Sequence, residues 1–203
     1  MQPCGKGGGK SEAALPKRTF AKMCSRTLYF FAAMWYAGGM ETPKDKPTAP
    51  DAGGTHYTVR LFSSLPDEAR AIRAEVFQRE QGFADEFDEI DGRAVHAVLY
   101  LDGEPCGTCR VFAAEGRARI GRVAVLRGAR GKGAGGRLLA AAEEAAAAMG
   151  LAETELAAQV RARGFYEKYG YAACSEPFDE EGCPHILMRK RAAAFPRESP
   201  PAM

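Results

Sequence analysis

The stretch of the chain best suited to binding a ligand is a glycine-rich segment between two apolar runs. Residues 120–126 are largely apolar and β-branched, residues 130–136 read RGKGAGG, and a long Ala/Leu run follows. This order predicts a strand, a loop and a helix. Because the first N–H groups of a helix have no intrahelical acceptor and lie at the positive end of its dipole, such a loop is a site for phosphate oxygens.

Two common phosphate-binding motifs fit this loop poorly. Gly131, Gly133 and Gly136 match the dinucleotide pattern G-x-G-x-x-G, but that motif follows the first strand of its fold, and this loop follows the fourth predicted strand. A Walker loop ends in Gly-Lys followed by Ser or Thr, and Gly133 follows Lys132. The position of the loop therefore favours another phosphate-containing ligand.

The composition is that of an ordinary globular protein with a core. Of the 203 residues, 46% are hydrophobic and 27% are charged, which predicts one main domain. The net charge of +2 is unevenly distributed, because residues 1–55 carry 8 basic and 4 acidic side chains, whereas the remainder carries 20 and 22. The nearly neutral remainder gives no electrostatic reason to expect a nucleic acid partner.

Residues 1–55 are predicted to be a disordered, basic N-terminal extension, followed by a domain over 56–191 and a flexible tail over 192–203. The extension contains an apolar segment at 28–40, which is shorter than the roughly 20 residues that a membrane-spanning helix needs. We therefore expect no stable membrane insertion. A secretory signal, an organellar presequence and a gene start placed too far upstream, with Met40 near the true start, all remain open.

Six cysteines are scattered along the chain, and one pair has the C-x-x-C spacing of redox and zinc sites. This pair, Cys106 and Cys109, falls in a predicted strand, where residues three apart point to opposite faces. No second pair of this kind follows it. We interpret both as ordinary core or edge cysteines and expect no metal site.

From residue 56 onward the hydrophobic periodicity predicts the order β α β β β α β α β β. Hairpins join the early strands and helices alternate with the later ones, which indicates a single α/β or α+β domain with a mixed sheet. The predicted strands cover 57–62, 96–101, 107–113, 119–125, 153–158, 171–174 and 185–189, the predicted helices cover 66–78, 135–149 and 160–169, and the acidic stretch 176–182 is a predicted loop.

This order and several motifs resemble the GNAT acyltransferase superfamily. Its acyl-CoA loop reads Gln/Arg-x-x-Gly-x-Gly/Ala, and Arg130, Gly133 and Gly135 fill those positions. The segment FYEKYGY at 165–171 is similar to the helix end of the family. Further segments resemble the ElaA-like branch and extend the resemblance over 57–191: EVFQREQGF (75–83), EFDEIDG (86–92) with His96 after it, AQV (158–160) and EPFDEEGCPHILMRK (176–190).

The resemblance implies a GNAT-like mixed, mostly antiparallel sheet with helices on its faces and a β-bulge in the central strand. It implies acetyl-CoA as cosubstrate, with its pyrophosphate on the N–H groups of the loop and its pantetheine arm along the bulged strand. An N–H of that strand is suited to binding the thioester carbonyl. The cofactor-binding residues expected from the resemblance are Val123, Ala124, Val125, Arg130, Gly131, Lys132, Gly133, Ala134, Gly135 and Gly136.

The resemblance also implies direct transfer of the acyl group to a primary amine. Tyr166 matches the family tyrosine that protonates the leaving thiolate, although a tyrosine at a helix end can also be a packing residue. Some family members carry a glutamate on the bulged strand, where this chain has Arg122. The acidic stretch 85–91 either attracts a cationic amine or is a solvated loop. The base stays open among Glu80, Glu86, Asp88, Glu89, Asp91, His96 and His185, with a structural role favoured for His96.

The function expected from these observations is a cytoplasmic N-acetyltransferase that acts on a small-molecule or peptide amine. A homodimer is left open. The alternative hypothesis is a non-catalytic module that binds acyl-CoA or a nucleotide, in which Tyr166 only packs. Acyl-CoA is a cytosolic or organellar metabolite, which argues against an extracellular protein.

Overall fold

The sheet has nine strands in the computed structural model, which describes residues 46–47 and 56–192. The strand order is β1-β2-β3-β4-β5-β6-β9-β7, with β8 paired to β9, and only β5 and β6 run parallel. The predicted mixed, mostly antiparallel sheet is thus confirmed. The strands are β1 (Lys46–Pro47), β2 (Tyr57–Phe62), β3 (Val95–Leu101), β4 (Glu104–Ala114), β5 (Arg117–Val125), β6 (Glu153–Gln159), β7 (Ala172–Ala173), β8 (Phe178–Glu180) and β9 (Cys183–Arg191).

The three predicted helices are present, with changes at their ends. Helix α1 (Asp67–Arg73) continues into a π-helical turn over Ala74–Arg79, a feature that periodicity does not reveal. Helix α2 covers Ala134–Ala148, and α3 covers Arg163–Lys168 after a 3₁₀ turn. Shorter 3₁₀ turns lie at Glu89–Gly92, Arg127–Ala129 and Val160–Ala162.

The helices cover opposite faces of the sheet. Strand β3 shows the division, since its side chains alternate between two buried clusters. Val98 and Tyr100 belong to the cluster that contains Ile72 of α1. Ala97 and Leu99 belong to the larger cluster, with Leu138, Leu139 and Ala142 of α2 and Tyr166 of α3.

Strand β5 carries the central bulge that the resemblance implies, and the prediction is confirmed. Ala124 pairs with Thr108 and Gly121 pairs with Arg110, so two residues of β5 oppose one residue of β4. One of the two, Arg122, has a φ of 53°, in the left-handed region. Beyond the bulge β5 leaves β6, because these strands pair only at Ala118 and Arg119 of β5.

The prediction of a loop over 176–182 is wrong in its middle. Phe178–Glu180 forms strand β8, which pairs antiparallel with the start of β9. All three residues are exposed, so the segment has no alternation of buried and exposed positions for a sequence pattern to record. The hairpin brings residues 180 and 181 to the end of β6.

The cysteine pair lies in β4, as predicted, but the two side chains do not separate onto opposite faces. Cys106 and Cys109 belong to one buried cluster, because a shift in register leaves Cys106 without a residue opposite it on β3. Both are free thiols, and burial raises the pKa of Cys106 to about 11 and of Cys109 to about 12. Within residues 46–47 and 56–192, no group of three or more His, Cys, Asp or Glu could hold a metal ion.

Most of the predicted N-terminal extension lies outside the described residues, as does the tail after Ala192. Lys46 and Pro47 are the exception, since they pair with Val59 and Thr58 of β2. The hypotheses on residues 28–40 and on the gene start concern residues outside this range. None of the helices described is long and apolar enough to span a bilayer.

Candidate active site

The glycine-rich loop ends at the N-terminus of α2. Gly133 is the residue before the helix and has a φ of 79°, a conformation that glycine adopts without a steric penalty. The N–H of Arg137 bonds to Gly133 O at 3.3 Å, which leaves the N–H groups of residues 134–136 without an intrahelical acceptor. The N-terminus of α2 therefore offers the unpaired N–H groups that an anion site needs.

Arg130 holds this loop against the end of the π-helical turn. Its Nε donates to Val125 O at 2.8 Å and its Nη2 donates to Glu80 Oε2 at 2.8 Å. Lys132 has an exposed side chain, and its carbonyl accepts a hydrogen bond from Tyr57 Oη at 3.1 Å. The Arg130 charge is therefore partly neutralised by Glu80, whereas the ammonium of Lys132 is exposed to solvent.

A cavity of about 210 Å³ lies where β5 and β6 separate. Val123 lines it from the bulged strand and Leu156 lines it from β6. Ala124 faces the α1 side of the sheet and is buried, so only part of the predicted segment 123–125 reaches the cavity. The remaining lining residues are Phe77, Gln81, Phe83, Asp85, Glu86, Ile120, Gly121, Arg122, Ala157, Gln159, Ala162, Tyr166, Glu180, Glu181 and His185.

Tyr166 lines this cavity from α3 and is 9% exposed. The ring of Phe165, at 5.0 Å between centroids, and that of Tyr171, at 6.1 Å, both meet it edge to face. Burial, with the Cys109 thiol as a smaller cause, raises the pKa of Tyr166 to about 12. At this pKa Tyr166 is a protonated phenol at neutral pH. Its hydroxyl makes no hydrogen bond to another described residue, so it is free to donate one to a ligand.

Three carboxylates of the acidic segment 85–91, those of Glu86, Asp88 and Asp91, are bound by arginines. For these three, the expectations of a solvated loop and of a free negative patch are both wrong. Arg73, which is 1% exposed, binds Glu86 Oε1 at 2.6 Å and Asp91 Oδ1 at 2.7 Å. Arg110 binds Asp88 Oδ1 at 2.6 Å and Asp91 Oδ1 at 2.8 Å. Buried arginines on α1 and β4 therefore neutralise these carboxylates.

Arg122 joins the bulge to the same segment. Its Nε lies 3.0 Å from Glu86 Oε2 and donates to Glu86 O at 3.2 Å, and its Nη2 lies 3.6 Å from Asp88 Oδ2. These contacts hold a non-glycine residue in the left-handed conformation beside the cavity. At the position where some family members have glutamate, this chain thus has an arginine that neutralises a carboxylate.

Most of the candidate bases are placed in structural roles. Burial raises the pKa of Glu86, but its two oxygens are taken by Arg73 and Arg122. Burial lowers the pKa of His96, which is outside the cavity lining and binds Asp91 O through Nε2 at 2.9 Å.

The other candidate carboxylates either bind arginines or lie outside the cavity lining. Glu80 binds Arg130, and Glu89 lines a separate shallow groove. Hydrogen bonds from Arg110 lower the pKa of Asp88. For Asp91, burial alone would raise the pKa, but hydrogen bonds from Arg73 and Arg110 outweigh it and hold the pKa well below the usual range. Of the seven candidates, only His185 and Glu86 line the cavity with Tyr166.

Gln81, a residue that sequence reasoning missed, spans one side of the cavity. Its Oε1 accepts from Gln159 Nε2 at 2.8 Å and from Arg161 Nη2 at 2.9 Å. The bridge joins the end of the π-helical turn to the end of β6. Gln81 and Gln159 both lie in segments that resemble the ElaA-like branch. That resemblance was the one indication in the sequence that these two residues belong to the site.

A family model described as "Acetyltransferase (GNAT) domain" matches residues 64–192, which include the loop, the bulge and the cavity. The chain belongs to the GNAT acetyltransferase family. By sequence it is similar to a Bacillus subtilis protein named uncharacterized N-acetyltransferase YjcF, with 37% identity over 126 residues. That match covers 61% of this chain and 90% of the relative.

Solved GNAT structures share the fold. An acyl-CoA N-acyltransferase from Pseudomonas aeruginosa is 30% identical, with a TM-score of 0.58, and the match covers 67% of this chain and 99% of that one. Escherichia coli ElaA has a TM-score of 0.59 at 24% identity, with 68% and 99% covered, which shows a likeness of fold.

Proposed function

We propose that this GNAT protein transfers an acetyl group from acetyl-CoA directly to a primary amine. The observation that carries the proposal is the position of Tyr166, a buried and protonated phenol that lines the cavity between the diverging strands β5 and β6. A leaving thiolate in that gap would have a proton donor beside it.

The residues of the loop fit the diphosphate of acetyl-CoA. The N–H groups of residues 134–136 lack intrahelical acceptors, and Lys132 adds an exposed positive charge. The cosubstrate supplies the activated thioester. Residues 123–125 would hold its pantetheine arm, because the edge of β5 beyond Arg119 has no pairing with β6.

The acceptor end of the cavity suits a cationic amine. Asp85, Glu180 and Glu181 line it and are exposed. Within the described residues none of these three is paired with an arginine, in contrast to Glu86, Asp88 and Asp91. A small-molecule or peptide amine that is positively charged in water would be attracted to this side. We assign the protein to the cytoplasm, where acyl-CoA is available.

The test is acetyl-CoA turnover against a panel of alkylamines and lysine-containing peptides, with CoA binding measured in parallel by calorimetry. We expect CoA binding, and acetylated product from at least one amine. Tight CoA binding by both wild type and Tyr166→Phe, without product from any amine, would favour a non-catalytic acyl-CoA binding module.

A further inference from the structure

We propose that Nε2 of His185 is the general base that removes a proton from the acceptor amine. The inference rests on the proposed function, since it assigns a residue to the acetyl-transfer step. Alkylamines are mostly protonated at neutral pH, with pKa values of about 10.4 for lysine, and a protonated amine has no lone pair with which to attack.

His185 stands at the right place in the fold. It lies near the start of β9, opposite Gln159 of β6, and lines the same cavity as Tyr166. His185 is 8% exposed, and the centroid of its ring lies 6.2 Å from that of Phe178 in β8. The β8–β9 hairpin therefore presents an imidazole to the acceptor side of the gap, and α3 presents a phenol.

The hydrogen bonding of the ring decides which nitrogen is available. Nδ1 of His185 lies 2.8 Å from Cys183 O and 3.9 Å from Glu180 Oε2. A carbonyl oxygen only accepts hydrogen bonds, so Nδ1 carries the proton and the neutral ring has its lone pair on Nε2. Among the described residues, Nε2 has no hydrogen-bond partner, and it is free to accept a proton from a ligand.

Several charged groups share the cavity with His185. The other charged or titratable groups that line the cavity are Asp85, Glu86, Arg122, Tyr166, Glu180 and Glu181. Glu86 and Arg122 bind each other. Glu180 of the hairpin is exposed, and its Oε2 lies 3.9 Å from Nδ1 of His185.

The proton balance of the step involves two residues. His185 Nε2 takes one proton from the ammonium, and the freed lone pair forms the N–C bond as the C–S bond breaks. Tyr166 Oη protonates the departing thiolate and then recovers a proton from the acylated nitrogen. The imidazolium of His185 releases its proton to solvent, so one amide, one thiol and one proton leave the site.

The experiment compares wild type with His185→Asn, because the asparagine amide keeps a donor near the position of Nδ1 and removes Nε2. His185→Gln is the second variant, and His56→Asn is the matched control on an exposed histidine outside the cavity lining. Each protein is assayed with an alkylamine over a pH series, and with an arylamine that is unprotonated at neutral pH. CoA affinity and thermal unfolding report whether each variant is folded.

We expect either His185 variant to lower kcat with the alkylamine by about 10²–10⁴-fold, with CoA affinity unchanged and the rise of rate with pH shifted to alkaline values. The arylamine should lose far less, since it needs no initial deprotonation. Equal losses with both amines in folded variants, or retained alkylamine activity, would overturn the inference. Failure of the wild type with every amine would instead contradict the proposed function.

Discussion

Gly135, in the first turn of α2, lies directly against the ring of Phe165, the residue before Tyr166. A β-carbon on Gly135 would lie 2.8 Å from Cζ of Phe165. Phe165 in turn contacts Tyr166 with a centroid distance of 5.0 Å. The loop expected to bind phosphate and the proposed acid are therefore joined by packing, and we expect a change in one to affect the other.

Gly135→Ala should lower both stability and activity. The added methyl group must displace Phe165, and overpacking of this kind costs about 1–3 kcal/mol. Gly128→Ala, in the 3₁₀ turn just before the loop, is the matched control, because a β-carbon there meets nothing within 4 Å. Thermal unfolding and kcat measure the two effects. An unchanged unfolding temperature and kcat in Gly135→Ala would show that the two elements are not coupled.

Tyr166→Phe should lower kcat by about 10²–10⁴-fold and leave CoA affinity unchanged, because it removes only the proton donor. Since burial raises the pKa of Tyr166 to about 12, the phenol stays protonated at neutral and mildly alkaline pH, and its ionisation should cause no decline of rate there. The control is Tyr100→Phe, on the α1 face of the sheet. Steady-state kinetics decide, and equal kcat values in wild type and Tyr166→Phe would assign Tyr166 to packing alone.

Arg130→Ala should weaken CoA binding about tenfold, as expected for the loss of charge-assisted hydrogen bonds that fix the loop. Arg130 binds both Val125 O and Glu80, whereas the nearby Arg127 lies 3.8 Å from Glu80 with a side chain that is 81% exposed. Arg127→Ala is thus a control for charge alone. Calorimetric titration with CoA distinguishes them, and equal affinities for the two variants would contradict a specific role of Arg130.

Asp91→Asn should destabilise the fold by about 3–5 kcal/mol at neutral pH, because it breaks buried ion pairs with Arg73 and Arg110. The pKa of Asp91 is below its ordinary value of 3.8 in the folded protein, so its contribution to stability is present above that pH and is lost as the pH falls below it.

The free energy of unfolding of the wild type should therefore fall steeply on acidification below pH 3.8, and the dependence should be shallower in Asp91→Asn. Denaturant titrations at a series of pH values measure both slopes. The exposed Asp67 at the start of α1 provides the control, since Asp67→Asn should cost no more than about 1 kcal/mol. Equal slopes of the free energy of unfolding against pH below pH 3.8 in wild type and Asp91→Asn would argue against this role of Asp91.

The sequence predicted those parts of the structure that a local pattern can encode. Periodicity located α2 and the long strands, and the motif at Arg130 predicted the loop before the helix. The same motif attributed Gly135 and Gly136 to phosphate binding, but a β-carbon on Gly135 would also meet Phe165 of α3, and one on Gly136 would meet Tyr169, the residue after α3. The glycines therefore meet two requirements, phosphate binding and close packing, and only the structure reveals the second.

The ion-pair network was beyond sequence reasoning because its members share no spacing. Arg73, Arg110 and Arg122 lie on three different elements and meet only when the sheet forms. The acidic segment could therefore be interpreted only as a solvated loop or as an attractor of a cationic amine. His185 could be named as a candidate base, but its relation to Tyr166 depends on the pairing of β8 with β9, and β8 falls in the stretch that was predicted to be a loop.

The most direct measurement is a single-turnover reaction with acetyl-CoA labelled in the acetyl group, excess enzyme and a primary alkylamine. Direct attack in the β5–β6 gap predicts that the label passes to the amine in one phase, with one equivalent of free CoA, and that Tyr166→Phe slows this phase. Label that stays on CoA with every amine tested, or that accumulates on the protein before reaching the amine, would contradict direct transfer at this site.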